Sequence, residues 1–261
     1  MLLDHTIIGM IHVPPLAGTP RYEGDLTNIL YKIADEAAIY QQAGIDAIAI
    51  ENMHDVPYLN REVGPEIVAS MTRIARVVKD NTDLPCGIQI LAGANKAALA
   101  VALAAELNFI RAEGFVFSHV ADEGMMHSDA GELLRYRKQI GAEHIKIYTD
   151  IKKKHSAHAI TADVSLVETA KAAQFFLSDG VIITGSSTGE TANLEEIEAV
   201  KNAVDCPILV GSGVTFDNVE QYLPHCDGLI IGSWFKEGGH WTQPLDGERI
   251  KQLMDKVREN R

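Results

Sequence analysis

Cysteine is scarce in this chain of 261 residues, and its pattern excludes two classes of protein. The three cysteines, Cys86, Cys206 and Cys226, lie far apart and show no C-x-x-C spacing. An odd and scattered set supports neither a disulfide framework nor a structural zinc site. Cys86 and Cys206 each adjoin a proline where a strand is expected to begin, the end of a barrel that usually has a structural role. We therefore expect reduced core thiols.

Long apolar runs and an excess of positive charge are also missing. The longest apolar run covers residues 97–105, well short of the roughly 20 residues that cross a bilayer, so no membrane span is predicted. Residues 1–15 lack the basic opening and the small-residue cleavage site of a signal peptide, and we expect a cytoplasmic protein. With 23 Lys and Arg against 36 Asp and Glu, the net charge of −13 disfavours nucleic acid as a partner.

Short apolar runs alternate with amphipathic stretches along the whole chain. The runs, interpreted as eight strands, cover residues 7–13, 47–53, 86–91, 109–115, 145–151, 180–185, 207–213 and 228–233. Between them, apolar residues recur every three or four positions, which predicts helices. Apolar strands separated by helices are typical of a parallel sheet covered on both faces. The pattern predicts an α/β fold, a single (β/α)8 TIM barrel domain over residues 1–261, with a doubly wound open sheet as the alternative.

Glycine and serine follow the last three predicted strands. TGSSTGE stands at 184–190, GSG at 211–213 and IGSWFKEGG at 231–239. In many barrels the last tips hold a phosphate through main-chain amides, and glycine lets the anion approach the backbone. The predicted phosphate-binding residues are Gly185, Ser186, Gly211, Ser212, Gly213, Gly232 and Ser233. Alternatively, the glycines serve only as turn formers.

Ionisable residues follow the other predicted strands, at the end of a barrel where active sites are found. The predicted catalytic residues are Asp150, Glu51, Lys152, His12, Glu113 and Arg111. Asp150 is the first candidate for a general base, and Glu51 is the alternative. Of the three lysines at 152–154, at least two are expected in solvent, and Lys152 is the one expected to face inward.

Two of these predictions have a structural alternative. Arg111 and Glu113 lie on the same side of one strand, because side chains alternate along it, and they could simply satisfy each other. His12 is either an acid–base group or a hydrogen-bonded histidine of the barrel.

The segment 116–132, which follows the fourth predicted strand, is long for a strand-to-helix connection and is a candidate lid. The lid candidates are His119, Asp122 and Glu123. A solvated flap or an oligomer contact is the alternative. A catalytic zinc is not indicated, since the first strand carries one histidine and no H-E-x-x-H motif occurs. The metal content stays unknown, and a magnesium ion held by Asp150 or Glu113 with a substrate phosphate stays open.

Seven segments together resemble the BtpA/SgcQ family. They are GMIHVPPLAGTP, AIAIENMHDVPY, FIRAEGFVFSHVADEGMM, YTDIKKKHS, DGVIITGSSTGE and LVGSGVT with GLIIGSWFKEGGHW. The resemblance covers essentially the whole chain, implies a phosphate-binding type of TIM barrel, and carries a link by name to photosystem I biogenesis. A looser similarity to tryptophan synthase α places Glu51 where that enzyme has its catalytic glutamate. This sequence departs from that enzyme after the second strand, where it reads ENMHDVPY.

Two functions follow from these observations. The first is an enzyme that acts on a small phosphorylated metabolite, a sugar or ribosyl phosphate, by acid–base lyase or isomerase chemistry. The second, implied by the family name, is a non-catalytic assembly or stability factor that retains a phosphate cup. For either function we expect a phosphorylated ligand and a homo-oligomer.

Overall fold

A computed structural model describes residues 5–185 and 191–261 of the chain. The strands are β1 (Thr6–His12), β2 (Ala47–Glu51), β3 (Cys86–Gln89), β4 (Phe109–Ala112), β5 (His119–Ala121), β6 (Gly124–Met126), β7 (Lys146–Ile151), β8 (Ser156–Ala157), β9 (Gly180–Ile183), β10 (Ile208–Val210) and β11 (Gly228–Ile231). The helices are α1 (Leu26–Ala43), α2 (Pro65–Asp80), α3 (Asn95–Ala104), α4 (Ala130–Gln139), α5 (Leu166–Phe175), α6 (Leu194–Lys201), α7 (Val219–Tyr222) and α8 (Gly247–Glu259).

Eight parallel strands close into a barrel in the order β1-β2-β3-β4-β7-β9-β10-β11, with β11 beside β1. These are the eight strands predicted from the sequence, and the TIM barrel fold is confirmed. Most of them leave the ladder one to three residues before the predicted end. The residues beyond the ladder form the tips that surround the mouth of the barrel.

The barrel interior follows from the alternation of side chains along each strand. The apolar filling consists of Ile8, Met10, Ala47, Ala49, Phe109, Tyr148, Ile182, Leu209 and Ile230. Two residues further along β1 and β2, the same inward face carries His12 and Glu51, which are direct neighbours in the ladder. The period of two therefore places a polar layer on top of an apolar one, at the carboxyl ends of the strands.

A small antiparallel sheet, which the sequence patterns did not indicate, covers part of the mouth. The segment expected to be a lid folds into the hairpin β5–β6, and β8 from the connection after β7 pairs with β5. Arg61, with a left-handed backbone (φ 63°), anchors this hairpin region. Its guanidinium donates to the carbonyls of Gly93 and Gly114 and to Asp129 Oδ2 at 3.1, 2.8 and 2.6 Å.

Two long-range contacts join the beginning and the end of the barrel. Lys236, 1% exposed, lies 3.3 Å from the buried Glu36 of α1. Arg261 Nη1 donates to Asp46 Oδ1 at 3.1 Å, and Nη2 donates to the His5 carbonyl at 2.7 Å. Together these contacts hold the last βα unit against the first.

The three thiols are free, and two of them, Cys86 and Cys226, are buried. Burial raises the pKa of Cys86 to about 11 and that of Cys226 to about 12, so both stay protonated at neutral pH. Cys86 begins β3, at the end of the barrel away from the mouth. Across residues 5–185 and 191–261, none of the helices has the length and apolar character that crossing a membrane requires.

Candidate active site

A cavity of about 670 Å³ opens at the carboxyl ends of the barrel strands. Its walls include the predicted residues His12, Glu51, Arg111, Glu113, Asp150, Asp122, Glu123, Gly211, Ser212, Gly213, Gly232 and Ser233. Lys152, Gly185 and His119 do not line it. Ser186 lies outside the described residues. The structure therefore brings most of the predicted site together in one space.

Arg111 and Asp150 form a buried bidentate ion pair between adjacent strands. Arg111 Nε donates to Asp150 Oδ2 and Nη2 donates to Oδ1, both at 2.8 Å. The pairing of Arg111 with Glu113, offered as the structural alternative, is wrong, because the partner lies across the ladder and not along the strand. Since both oxygens of Asp150 accept from the guanidinium, its carboxylate is better placed to orient Arg111 than to take a proton.

Glu113 is held at the tip of β4 by its backbone, while its carboxylate faces the cavity. Its amide donates to Asn95 Oδ1 at 3.2 Å, and Asn95 Nδ2 donates back to its carbonyl at 2.8 Å. Glu113 Oε1 lies 3.5 Å from Lys153 Nζ, whereas Oε2 is buried and has no hydrogen-bond partner in the described part of the chain. Burial raises the pKa of Glu113, and the nearby Lys153 opposes this shift.

The lysine run after β7 is arranged differently from the prediction. Lys152 was expected inward, but its backbone is left-handed (φ 42°), and its Nζ donates to the Thr161 carbonyl at 3.1 Å. The left-handed residue ends the strand alternation, so that Lys153 and Lys154 turn into the cavity instead of solvent. Burial lowers the pKa of Lys154, as does Arg111, while Glu51 and Asp150 oppose the shift.

His12 is a buried, neutral histidine at the tip of β1. Its Nδ1 lies 3.3 Å from the Trp241 carbonyl, and because a carbonyl can only accept, Nδ1 carries the proton. Nε2 therefore presents its lone pair to the cavity, 3.7 Å from Glu51 Oε2. Burial, with the positive charge of Lys236, lowers the pKa of His12 to about 3.

Glu51 is the carboxylate at the tip of β2, 8% exposed. Burial raises its pKa, and Arg111 and Lys154 oppose the shift. The next residues fix this tip, because Asn52 Nδ2 donates to Asp55 Oδ2 at 2.9 Å and Asn52 Oδ1 accepts from the Leu91 amide at 2.7 Å. A carboxyl group with a raised pKa beside a neutral imidazole and an ammonium is suited to proton transfer.

The glycines at the last two tips make room for the ionisable residues. A Cβ on Gly211 would lie 2.6 Å from Ile182 Cγ2 and 3.4 Å from Arg111 Nη2, and one on Gly232 would lie 3.1 Å from the His12 ring. Gly213 is a true turn former, since its φ of 71° is left-handed. Ser212 Oγ accepts from the Gly185 amide at 3.0 Å, which joins two neighbouring tips. Packing and turn formation thus account for part of this glycine pattern, and phosphate binding stays a prediction.

The candidate lid is divided between the cavity and the interior of the small sheet. Asp122 and Glu123, at the turn of the hairpin, line the cavity. His119 faces the other way, with its ring 5.4 Å from that of His158. Burial and the nearby Lys153 lower the pKa of His119 to about 4.

An arginine that sequence reasoning missed lines the cavity, as does a glutamine at a strand tip to which no role was assigned. Arg249 lies in the first turn of α8, with its guanidinium 3.3 Å from the centre of the Trp234 ring. A cation in a first helical turn is unfavourable beside the helix dipole, and this was the available signal. Gln89, at the tip of β3, is 2% exposed and its Oε1 has no partner among the described residues. Across those residues no three His, Cys, Asp or Glu side chains are grouped to hold a metal ion.

A closed parallel barrel with an ionisable cavity at the carboxyl ends of its strands defines a TIM barrel of the type found in enzymes. The chain belongs to the BtpA family, whose model matches residues 3–259. The resemblance stated from the sequence is thereby confirmed.

Relatives of this chain come from an animal, an archaeon and a cyanobacterium. An uncharacterized mitochondrial protein of Caenorhabditis elegans is 49% identical, over 96% of this chain and 92% of its own. A protein of Archaeoglobus fulgidus is 37% identical, over 97% of this chain and 98% of its own. The photosystem I biogenesis protein BtpA of Synechocystis is 31% identical, over 97% of this chain and 88% of its own.

Solved structures share the fold at low sequence identity. Phosphoribosyl anthranilate isomerase from Thermus thermophilus matches with a TM-score of 0.57 and 13% identity, covering 98% of this chain and 100% of its own. The (S)-3-O-geranylgeranylglyceryl phosphate synthase of Thermoplasma acidophilum, in complex with sn-glycerol-1-phosphate, matches with a TM-score of 0.60 and 15% identity, covering 98% and 94%. These matches establish the fold alone.

Proposed function

We propose that this protein is an enzyme that acts on a small phosphorylated metabolite by acid–base chemistry of the lyase or isomerase type. The observation that carries this proposal is the composition of one cavity. Glycine-rich tips and an arginine line one side of it, and ionisable groups with shifted pKa values line its floor. Such groups are concentrated in catalytic sites.

The phosphate would bind at the tips of β10 and β11. In the short 3-10 turn at Ser233–Phe235 the Phe235 amide donates to the Gly232 carbonyl at 3.1 Å, and the Ser233 and Trp234 amides before it would donate to the anion. Arg249 adds a positive charge on the same wall. Two barrels that share the fold, a phosphoribosyl anthranilate isomerase and a geranylgeranylglyceryl phosphate synthase in complex with sn-glycerol-1-phosphate, support a phosphorylated ligand for this barrel.

Glu51 would be the group that moves the proton. Its pKa is raised by burial, and the unprotonated Nε2 of His12 lies 3.7 Å from its carboxylate. Lys154, on the same floor, would stabilise negative charge that develops on the substrate. Asp150, the first candidate from the sequence, would act by holding the Arg111 guanidinium at 2.8 Å.

A ligand screen tests the phosphate site. Inorganic phosphate and a set of sugar phosphates should raise the Tm of the wild-type protein, and Ser233→Asp should abolish this rise, because a carboxylate would occupy the anion position. Ser128→Asp, at an exposed position on the connection between β6 and α4, is the matched control and should keep the rise. The proposal fails if no phosphorylated compound raises the Tm of the wild type.

A second variant tests the chemistry once a turnover is found. Glu51→Gln should keep the ligand-induced rise in Tm and lose turnover by at least about a hundredfold, the usual contribution of a general acid or base. Glu62→Gln, an exposed acid on the connection after β2, should keep full turnover. Undiminished turnover in Glu51→Gln would reject Glu51 as the acid–base group.

The non-catalytic assembly factor is the second candidate, favoured by the name of the cyanobacterial relative. The relatives from a worm and an archaeon are more similar to this chain than that protein is. A role tied to a photosystem would not require the ionisable floor of the cavity. Complex assembly in cells that carry Glu51→Gln at an unchanged protein level separates the two roles. Loss of assembly would show that the role depends on Glu51 chemistry, and normal assembly would favour a scaffold.

A further inference from the structure

Three buried or partly buried oxygen acceptors on one side of the mouth have no hydrogen-bond donor within the described residues. They are Gln89 Oε1 on β3, Glu113 Oε2 beyond β4 and Glu123 Oε2 in the β5–β6 turn. We refer to them as the acceptor cluster. Gln89 is 2% and Glu113 is 7% exposed, and all three residues line the cavity. A buried polar atom without a partner destabilises the fold, so an acceptor retained there points to a donor that arrives with the ligand.

The acceptor cluster lies across the mouth from the proposed phosphate site. In the closed order of eight strands, β3 is four positions from β10, and β4 is four positions from β11. A ligand whose phosphate sits at the last two tips would therefore extend its other end toward Gln89 and Glu113. The two ends of the cavity require opposite chemistry, an anion at one end and hydrogen-bond donors at the other.

The charges already present favour neutral donors. Glu113 Oε1 lies 3.5 Å from Lys153 Nζ, so the carboxylate has its counter-ion. Gln89 carries no charge, and in the described residues no set of acidic and histidine side chains is grouped to hold a metal ion. The acceptor cluster therefore fits uncharged O–H donors, which donate to amide and carboxylate oxygens alike.

We propose, resting on the function proposed above, that Gln89 and Glu113 bind the hydroxyl groups of a polyhydroxylated phosphate ester. The substrate class is then a sugar or polyol phosphate, with its hydroxyls directed to the acceptor cluster. Gln89 is a specificity residue in this assignment. A ligand with an apolar chain in place of the hydroxyls would leave the buried Gln89 Oε1 without a hydrogen-bond donor.

Binding of two matched probes tests the assignment. Ribose 5-phosphate and n-pentyl phosphate carry the same number of carbon atoms, and the second lacks the hydroxyls. The wild type should bind ribose 5-phosphate about tenfold more tightly, and Gln89→Met should remove most of this preference. Its Kd for inorganic phosphate should stay within about twofold, because the variant leaves the anion site unchanged. An unchanged preference in Gln89→Met would overturn the assignment.

The unliganded protein gives an independent readout. Gln89→Met, and Gln89→Leu as a second variant, should raise the Tm, since each replaces a buried amide, whose oxygen has no partner among the described residues, by an apolar group of similar size. A lower Tm in both variants would show that the amide has partners and would reject the proposal. A rise in Tm with Mg²⁺ alone that Gln89→Met abolishes would assign the cluster to a cation and also overturn it.

The two proposals fail in different ways. If the wild type does not bind inorganic phosphate, or if Ser233→Asp binds it equally well, the phosphate site is wrong. In that case the Tm values of the unliganded Gln89 variants still test whether the acceptor cluster lacks donors. If inorganic phosphate binds but ribose 5-phosphate binds no more tightly than n-pentyl phosphate, only the substrate class is wrong.

Discussion

Burial sets the protonation state of single residues in the mouth of the barrel. His12 and Glu51 face each other over 3.7 Å, and burial moves their pKa values in opposite directions, down for the imidazole and up for the carboxyl group. Both shifts favour the neutral form of each group. In the enzyme proposed above, these two neutral groups would not repel an anionic substrate, and one proton transfer would create charge where Lys154 and Arg111 can stabilise it.

The depressed pKa of His12 makes stability depend on pH. Its pKa is about 3 in the fold and about 6.5 in the unfolded chain. The unfolded chain therefore binds the extra proton, and the stabilisation present above pH 6.5 is lost as the pH falls toward 3. When the pH falls from 7 to 5, the free energy of unfolding should decrease in both proteins. The decrease should be about 2 kcal/mol smaller in His12→Gln than in the wild type.

Urea unfolding at both pH values checks this prediction. His144→Gln, at an exposed position, is the control and should keep the wild-type pH dependence. Equal losses in His12→Gln and the wild type would show that His12 already binds a proton in the fold.

Removing one partner of the Arg111–Asp150 ion pair should lower the free energy of unfolding more than removing both. Asp150→Asn leaves a buried guanidinium without its carboxylate and should lower the free energy of unfolding by about 3 kcal/mol. The double variant Arg111→Met with Asp150→Leu removes both charges and should be more stable than Asp150→Asn. Chemical denaturation of the single and double variants measures this coupling. Additive losses would mean that the two side chains do not depend on each other.

Among the elements, the hairpin β5–β6 depends on two side chains outside it, Arg61 and Asn60. Arg61, on the connection after β2, donates to carbonyls on the connections after β3 and β4 and to Asp129 before α4. Asn60 Nδ2 adds a bond of 2.9 Å to the Met125 carbonyl in β6. Three connections are thus tied together over the mouth, and the hairpin that carries Glu123 is held in place from its neighbour.

Removing this tie should loosen the hairpin and leave the barrel intact. In Arg61→Ala, backbone amides of residues 115–128 should exchange with solvent at least about tenfold faster, while those of β1 and β2 keep their protection. Hydrogen exchange followed by mass spectrometry measures both. Arg76→Ala is the control, because the exposed ion pairs of Arg76 with Asp80 and Glu106 contribute little. Uniform loss of protection would show that Arg61 stabilises the whole fold.

The sequence predicts the elements of the barrel better than its mouth. Alternation along strands placed Glu51 and Arg111 inward, because a period of two persists as long as the strand does. It failed at Lys152, where a left-handed residue ends the alternation. The partner of Arg111 lies 39 residues away in the chain, and such pairing depends on the register of neighbouring strands.

Two features of the mouth left only short signals in the sequence. β5 and β6 have three residues each, too few for a reliable alternation of apolar and polar residues. Arg249 reaches the cavity from α8, and its position depends on stacking against Trp234. Both belong to tertiary packing, which local patterns do not encode.

The whole molecule is a ring of eight strands with buried contacts at the closing point, such as Lys236 with Glu36. A closed ring has no free sheet edge, so removing one strand exposes the interior of all of them. We propose that the chain unfolds as one unit, in line with the single domain predicted from the sequence.

The buried thiols can test this cooperativity. Cys86 lies at the start of β3, and Cys226 lies before β11, on separate arcs of the barrel. If the barrel opens as a whole, a thiol reagent should label both at the same rate at every urea concentration, since both pKa values are raised by burial. Cys206, which is half-buried, is the faster reference. Unequal rates for Cys86 and Cys226 would reveal an opening of part of the barrel.

Arg261 keeps the last residue of the chain beside Asp46 and His5. A short peptide that joined residue 261 to residue 5 would turn the backbone into a circle without displacing a strand. Cutting that circle between the exposed Glu143 and His144 would start the protein in its second half. Such a rearranged gene should still yield the same barrel, because each strand recognises its neighbours in space regardless of which one leaves the ribosome first.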